Sequence, residues 1–320
     1  MATYKEIFGT NIEVVSSDPS NPVEGQVWYN TTSNVVKGLS NNPGSWATGG
    51  ALGTARYSAG GSGTQTAGMA FGGQTNQVVT ELYNGSSWTE VNDMNVGGAG
   101  FASAQGTQTS TIAAGGNGDR EVGGNAETWN GTNWTAVAAL NTARIRVAGS
   151  GASNTSALAF GGEAAAPLYT TGRTELWNGS NWTEVNDMNT ARYLANGAGT
   201  QTAALAIGGT PPTSALTELF NGTNWTEVND LNTANSNGGA SGTTTSALRY
   251  GGFPGPNARN ESWNGTNWTE VGDLNTARRG IAGMGPSNGS ALAAGGGTPT
   301  AVAATEAWNA GPVTVTFDVS

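Results

Sequence analysis

The sequence contains no cysteine and no histidine in its 320 residues. The absence of cysteine excludes disulfide bonds and cysteine-ligated zinc or iron–sulfur sites. The absence of histidine excludes histidine general bases and the serine–histidine and cysteine–histidine nucleophile pairs. Most hydrolase and oxidoreductase mechanisms are therefore excluded, and we expect no catalytic residue, no metal site and no cofactor.

Basic residues are also scarce. The chain has 12 Lys and Arg against 22 Asp and Glu, for a formal net charge of −10, and its lysines are Lys5 and Lys37. Phosphate binding needs clustered basic side chains, so we expect no nucleic-acid partner. No apolar run approaches the ~20 residues of a membrane-spanning helix, so we expect no membrane insertion. The 11 tryptophans argue against a disordered chain, because disordered segments are poor in aromatics.

A short sequence related to NGTNWTEV recurs along the chain, together with a pair of adjacent glycines. The copies of the first motif are Asn84–Val91, Asn130–Val137, Asn178–Val185, Asn221–Val228 and Asn264–Val271. Their tryptophans, with an earlier one, are spaced 42 to 48 residues apart: Trp46, Trp88, Trp134, Trp182, Trp225 and Trp268. The glycine doublets are Gly72-Gly73, Gly115-Gly116, Gly161-Gly162, Gly208-Gly209, Gly251-Gly252 and Gly295-Gly296. Six doublets predict six structural units.

Each unit reads as four short strands. The first follows the stretch NTAR, and the second is a small apolar run such as ALAFGG, which the doublet ends. A third strand, TELW at Thr174–Trp177, leads through a tight Asn-Gly turn to a fourth that begins at the repeated tryptophan. Repeated short strands of this kind predict an all-β, six-bladed β-propeller with four antiparallel strands per blade and its ring closed near the termini. We expect the six repeated tryptophans to fill the blade core.

Both ends of the chain are expected to contribute to the last blade. Aligning Trp308 with Trp263 places residues 313–319 on a fourth strand, which the C-terminus would then supply itself. The segment around Trp46 forms either an additional outer strand or a replacement for 313–319. Either arrangement covers an exposed sheet edge. Because the composition changes near residue 40, we predict an attachment or closing segment at 1–40 and the propeller at 41–320.

The repeating unit resembles the kelch repeat, in which a Gly-Gly doublet ends the second strand, an aromatic lies on the third and a tryptophan opens the fourth. The resemblance covers about residues 51–320, with a turn one residue shorter and Trp or Phe where kelch repeats often have Tyr. The stretch SNPVEGQVWYNTTSNVVKG, at Ser20–Gly38, is similar to segments of bacteriophage tail and fibre proteins, especially of marine phages. This second resemblance implies a virion-associated protein.

The length variation of the repeats is confined to the connection between each doublet and the glutamate of the third strand, which holds 7 to 12 residues. In a propeller these connections emerge on the same face as the crossovers that contain NTAR, so we expect binding there. Acidic residues that break the repeat on this face are Asp119, Glu121 and Glu163, and the candidate binding residues are Arg120, Tyr169, Arg173, Phe253 and Arg259. Ordinary variation of loop sequences would give the same pattern.

One arginine precedes the first strand in most units: Arg56, Arg144, Arg192 and Arg278. Two roles are open for these side chains. Each could pair with a neighbouring carboxylate, or together they could form a ring at the central channel that binds an anion.

The sequence thus favours a non-enzymatic, virion-associated propeller of a phage tail or fibre, on the particle surface or otherwise extracellular. We expect its N-terminal segment to contact other virion proteins and its loop face to contact a host-surface glycan or protein; assembly into a homo-oligomer is left open. One alternative is a carbohydrate-active enzyme such as a polysaccharide depolymerase. Another is a purely structural decoration of the capsid or tail.

Overall fold

The computed structural model describes residues 12–74, 77–97, 102–103, 106–116, 123–166 and 169–317. These residues form two compact units, one of 12–43 with 310–317 and the other within 44–309. The described residues contain strands and turns but no helix, which confirms the all-β prediction. Accordingly, this part of the chain offers no helix that could cross a membrane.

The strands are short except for two. The strands up to the middle of the chain are β1 (Glu13–Val15), β2 (Val27–Asn30), β3 (Val35–Thr48), β4 (Gly60–Gly63), β5 (Gly68–Phe71), β6 (Thr80–Tyr83), β7 (Trp88–Val91), β8 (Ala102–Ser103), β9 (Thr111–Ala114), β10 (Ala126–Trp129), β11 (Trp134–Val137), β12 (Arg144–Ile145), β13 (Ala148–Ser153) and β14 (Ser156–Phe160). The remaining strands are β15 (Glu163–Ala164), β16 (Thr174–Trp177), β17 (Trp182–Val185), β18 (Asn196–Gly199), β19 (Ala204–Ile207), β20 (Thr217–Phe220), β21 (Trp225–Val228), β22 (Gly239–Thr243), β23 (Ser246–Tyr250), β24 (Asn260–Trp263), β25 (Trp268–Val271), β26 (Ala282–Ser287), β27 (Ser290–Ala294) and β28 (Thr305–Phe317).

The first unit is organised around one carboxylate. Strand β1 pairs in parallel with β2, and β2 pairs antiparallel with β3. Between β1 and β2, Asp18 accepts hydrogen bonds from the Trp28 indole at 3.0 Å, the Asn30 amide at 2.7 Å and the Lys37 ammonium group. Hydrogen bonds from Lys37, Trp28 and Asn30 lower the pKa of Asp18 to about 2. The ionised carboxylate therefore ties the β1–β2 connection to both neighbouring strands.

We predict an acid-dependent loosening of this unit. Because folding lowers the pKa of Asp18 from 3.8 to about 2, its contribution to stability is complete above pH 3.8 and is lost as the pH falls towards 2. Following the Trp28 indole N–H resonance by NMR from neutral pH down to about pH 2 would show this step. Asp18→Asn should remove the step; its persistence in that variant would assign it to another group.

The second unit consists of successive four-stranded sheets. Sheet 1 contains β4–β7, sheet 2 β8–β11, sheet 3 β13, β14, β16 and β17, sheet 4 β18–β21, sheet 5 β22–β25, and sheet 6 β26, β27, β28 and β3. Strands β12 and β15 form a separate two-stranded ladder. In sheets 1 to 5 the strands lie in chain order and each pairs antiparallel with the one before it. The first strand of each sheet contacts that of the next, and β26 of sheet 6 contacts β4 of sheet 1.

The predicted Asn-Gly turn joins the third and fourth strands of a sheet. In sheet 3, Trp177 pairs with Trp182 across the hairpin. The Asn178 side chain accepts hydrogen bonds from the backbone N–H groups of Ser180 and Asn181, both at 2.9 Å. Gly179 has a φ of +93°, which favours glycine because it lacks a Cβ. The same Asn-Gly pair therefore sets the same strand register in each copy.

The repeated tryptophans connect neighbouring sheets. The Trp225 ring of sheet 4 lies 4.9 Å from Phe160 of sheet 3 and 5.1 Å from Phe220 of its own sheet, between ring centroids. Its indole N–H donates to the Thr174 hydroxyl of sheet 3 at 3.0 Å. The equivalent intersheet bonds run from Trp88 to Thr305, Trp134 to Thr80 and Trp268 to Thr217. Five of the six indoles are about 5–6 % exposed, and Trp88 is half-buried.

The glycine doublets make a second intersheet contact. Gly161 and Gly162 both have positive φ, at +64° and +105°. A Cβ on Gly161 would lie 2.4 Å from the carbonyl oxygen of Arg192 in sheet 4, and the Gly162 N–H donates to that oxygen at 3.0 Å. A side chain at the first position would thus push the next sheet away.

Sheet 6 takes its fourth strand from the start of the chain. Strand β28 runs on to Phe317 instead of turning back, so the predicted fourth strand at 313–319 is wrong. Asn309-Ala310 stands where the other hairpins have Asn-Gly, and alanine disfavours the left-handed conformation of that turn. Strand β3 replaces the missing strand, as the second of the two predicted alternatives. The Asn275 amide donates to the Trp46 carbonyl at 3.0 Å, as Asn189 does to Trp225.

We predict that Trp182→Ala destabilises the fold more than Trp46→Ala. Trp182 lies inside sheet 3 and its indole N–H donates to the Ala138 carbonyl at 3.0 Å, so truncation should cost about 3–5 kcal/mol. The buried Trp46 indole N–H has no hydrogen-bond partner among the described residues, and its strand is added from the chain's other end. Urea unfolding of both variants measures the difference. Equal losses would count against this account of closure.

Candidate functional site

The repeated crossover arginines are buried in ion pairs with third-strand glutamates. The pairs are Arg56–Glu81, Arg144–Glu175, Arg192–Glu218 and Arg278–Glu306. The Arg144 guanidinium lies 2.8 Å from Glu175 and also donates to the carbonyls of Gly161 and Arg173. We call this arrangement the clamp. The predicted pairing with a carboxylate is confirmed, and the alternative, a ring of these arginines that binds an anion at the central channel, is wrong.

The clamp holds the crossover against its own sheet. The Glu175 carboxylate accepts a further hydrogen bond from the Asn141 backbone N–H at 2.7 Å. Burial lowers the pKa of the Arg144 guanidinium, and the adjacent Glu175 carboxylate offsets part of this effect. The crossover backbone, the end of the second strand and the start of the third are thereby joined through one guanidinium.

Sheet 5 forms the clamp differently. Asn235 occupies the crossover position of the arginine, and Arg249, on β23, lies opposite Glu261 in the strand register. Arg249 donates to the carbonyls of Gly251 and Ser236, and burial lowers its pKa to about 9. The positive charge facing the buried glutamate is therefore retained, although it comes from another strand.

We predict a large difference between two glutamates that face each other across one hairpin, Glu175 and Glu184. Glu175→Gln leaves the Arg144 guanidinium buried without its carboxylate and should cost about 3–5 kcal/mol. Glu184 pairs with Arg173 at 2.6 Å on the surface, and Glu184→Gln should cost less than about 1 kcal/mol. Chemical denaturation of the two variants tests this; similar losses would show that the clamp is not a stabilising contact.

The residues that follow the clamp form the candidate site. In sheets 3 to 6 the crossover backbone pairs with the residue that follows the glycine doublet: Ile145 with Glu163, Tyr193 with Thr210, Ser236 with Phe253 and Arg279 with Gly297. Crossovers and variable connections therefore lie on one face, as the sequence predicted. We call the following set the rim: Tyr57, Ser58, Ile145, Arg146, Tyr193, Leu194, Ser236, Asn237, Arg279 and Gly280, with their partners Glu163, Thr210, Phe253 and Gly297.

Backbone hydrogen bonds link the rim from sheet to sheet. Ser58, Arg146, Leu194, Asn237 and Gly280 all have φ between 53° and 63°. Four of their N–H groups donate to the preceding sheet: Ser58 to Gly280 at 2.7 Å, Gly280 to Asn237 at 2.7 Å, Asn237 to Leu194 at 2.9 Å and Leu194 to Arg146 at 3.2 Å. From Arg146 to Ser58 the rim is therefore built on an unbroken series of hydrogen bonds.

A cavity of about 100 Å³ lies at these hydrogen bonds. It is lined mainly by glycines and alanines of the first strands, which approach closely: a Cβ on Gly197 would lie 2.0 Å from the Gly149 carbonyl oxygen. Ligand pockets for small molecules usually measure about 300–1,000 Å³. A saccharide or peptide therefore has room on the rim but not inside this cavity.

The rim carries aromatic and cationic side chains in contact. Arg146 lies 2.6 Å from the Glu163 carboxylate, and its guanidinium carbon is 5.4 Å from the centre of the Tyr193 ring. The Arg279 guanidinium carbon lies 6.0 Å from the centre of the Phe253 ring, which is 39 % exposed. Sequence reasoning missed Arg146, Tyr193 and Arg279, because the search for unique residues was confined to the variable connections. Aromatics directly after the crossover arginine, at Tyr57 and Tyr193, were the available clue.

The five predicted binding residues do not form one cluster. Phe253 belongs to the rim, and Tyr169 is exposed with a φ of +45°. Arg173 extends to Glu184 on the fourth strand, away from the rim, and Arg259, at the equivalent position of sheet 5, is exposed. Arg120 lies outside the described residues. Within the described ranges, no cluster of acidic side chains could hold a metal ion.

The comparisons with known proteins point to one architecture. The solved structure of YjhT is similar over 84 % of this chain and 97 % of that chain, with a TM-score of 0.65 and 14 % sequence identity. Comparison of the sequence with known protein families and with curated proteins gives no match. At this identity the likeness concerns the fold alone. The successive four-stranded sheets of the second unit are those of a β-propeller.

Proposed function

We propose that this chain is a non-enzymatic, virion-associated propeller of the kelch type, with six blades, whose rim binds a host-surface glycan. The observation that carries the proposal is where the repeat breaks down. Clamp, doublet and tryptophan recur from sheet to sheet, whereas the rim positions change to Tyr, Arg, Ser, Asn or Phe. Variable side chains on a rigid, repeated support are typical of a binding surface.

Two observations support six blades in a ring. The first strands of sheets 1 to 6 contact one another in sequence order, and the last contacts the first. The rim hydrogen bonds follow the same direction from Arg146 of sheet 3 through sheets 4, 5 and 6 to Ser58 of sheet 1. The doublet after the second strand, the aromatic on the third and the tryptophan that opens the fourth support the proposal of the kelch type.

Recognition of a glycan suits the chemistry of the rim. Tyr193 and Phe253 offer partly exposed aromatic faces, which pack against the apolar face of a sugar ring. Arg146 and Glu163 supply fixed donors and acceptors for hydroxyl groups. Glycosidases need two carboxylates around the bond that breaks, and among the rim residues as defined above Glu163 is the one acidic side chain. The rim therefore favours binding over hydrolysis.

Exposed apolar side chains in the first unit favour attachment to another protein of the virion. Ile12 and Val14 are exposed on or beside β1, Val23 is exposed in the connection between β1 and β2, and the exposed Phe317 ends β28. Exposed apolar patches commonly mark protein–protein contacts, and these side chains could contribute to one. The similarity of Ser20–Gly38 to phage tail and fibre segments points in the same direction.

A glycan array probed with the purified chain tests the binding function. We predict that Phe253→Ser weakens glycan binding about fivefold or more, because one aromatic contact contributes about 1 kcal/mol. Phe317→Ser is the matched control, since Phe317 is similarly exposed, at 42 %, but belongs to the first unit. A loss with Phe317→Ser alone would move the binding surface to that unit. Release of reducing ends from any bound glycan would show that the chain hydrolyses the glycan, and would refute the non-enzymatic proposal.

Mass spectrometry of purified phage particles tests the location. The chain should be found among the structural proteins of the mature virion. Its absence from particles, with glycan binding retained, would leave the rim as a binding site and refute the virion association.

A further inference from the structure

The arginines of the described residues fall into distinct groups by their partners. Four are buried in clamps and Arg249 is buried facing Glu261. Arg146 and Arg173 each hold a surface carboxylate at 2.6 Å. Arg259 and Arg279 make no ion pair with any described residue, and of these two only Arg279 belongs to the rim. In a chain with a net charge of −10, an unpaired arginine at this place calls for an explanation.

The backbone of Arg279 is held in place. It directly follows the clamp arginine Arg278, and it exchanges two hydrogen bonds with Gly297, at 3.2 and 2.8 Å. The side chain is half-buried, with its guanidinium carbon 6.0 Å from the centre of the Phe253 ring. The backbone hydrogen bonds therefore fix the position from which the Arg279 side chain extends. Its guanidinium lies near the partly exposed Phe253 ring.

Sheet 3 shows which charged group could stand beside Arg279. In sheet 3 the residue that follows the doublet is Glu163, whose backbone pairs with Ile145, the counterpart of Arg279, and whose carboxylate pairs with Arg146, the next residue along the chain. In sheet 6 the same position is Gly297, which offers no carboxylate. A Cβ at Gly297 would lie 3.5 Å from Cγ of Tyr57, so the Tyr57 ring lies beside the backbone that pairs with Arg279. Sheet 6 therefore lacks the carboxylate that sheet 3 has at this position. The aromatic residues Phe253 and Tyr57 lie nearby.

We propose that Arg279, flanked by Phe253 and Tyr57, is a subsite for the carboxylate or sulfate group of an acidic saccharide. The guanidinium fork matches the two oxygens of such a group, and the aromatic rings take the sugar face that carries it. This subsite rests on the proposed glycan-binding function and specifies its ligand as anionic. Because the chain as a whole is acidic, binding comes from this local contact and not from long-range attraction.

The test compares acidic and neutral members of one glycan array, with wild type, Arg279→Gln and Arg259→Gln. Wild type should bind acidic glycans, and Arg279→Gln should weaken that binding about tenfold or more, as expected for loss of a charge-assisted hydrogen bond. Arg259→Gln, which removes the other unpaired arginine, should bind like wild type. Equal thermal midpoints of the three proteins would exclude an effect through unfolding.

Chemical modification of a bound glycan distinguishes the two anionic groups. Methyl esterification should abolish binding if the ligand group is a carboxylate, and desulfation should abolish it if the group is a sulfate. Selective binding of neutral glycans, or unchanged binding by Arg279→Gln, would overturn the subsite and leave glycan recognition standing. Absence of binding to every glycan would refute the proposed function and the subsite with it.

Discussion

The buried pair between a crossover arginine and a third-strand glutamate is the interaction on which the rest of the structure depends. Through one guanidinium, Arg144 joins its crossover to Glu175, to the end of the second strand at Gly161 and to the start of the third at Arg173. Burying two charges has a high desolvation cost, which only good geometry and additional hydrogen bonds offset. The retention of a guanidinium in sheet 5, from Arg249 and not from the crossover, is consistent with the need of a buried glutamate for a nearby positive charge.

The clamp also explains why the proposed binding surface lies where it does. Residues that follow it enter the left-handed conformation, donate to the preceding sheet and leave their side chains on the rim. The glycine doublet and the tryptophan also connect sheet 3 with sheet 4 and its crossover. Gly162 donates to the Arg192 carbonyl, and Trp225 donates to the Thr174 hydroxyl. The repeated residues are therefore mainly those that form contacts between sheets or between a crossover and its sheet. The rim side chains do not form these repeated contacts, so their identity can vary from sheet to sheet.

The sequence predicted the strands, the hairpin turns and the shared face, because each follows from a local residue pattern that occurs several times. Chain closure was left open, since the choice between β3 and residues 313–319 depends on one turn, where Ala310 replaces glycine. The rim arginines were missed for a different reason. Whether Arg279 has a carboxylate partner depends on which residue the fold places opposite it, and Gly297 is 18 positions away in the chain. Spacing alone does not show that a partner is absent.

The central claim is that the rim is the surface that meets the ligand, while the first unit serves attachment. Hydrogen–deuterium exchange of the full chain, with and without a glycan selected on the array, tests this most directly. Because bound ligand slows exchange of the amides it covers, the account predicts protection in peptides that contain Tyr57, Tyr193 and Arg279. The Asn178-Gly179 hairpin and strands β1 and β2 should exchange as before. Protection confined to the Asn178-Gly179 hairpin or to the first unit, with exchange of the rim amides unchanged, would contradict the account.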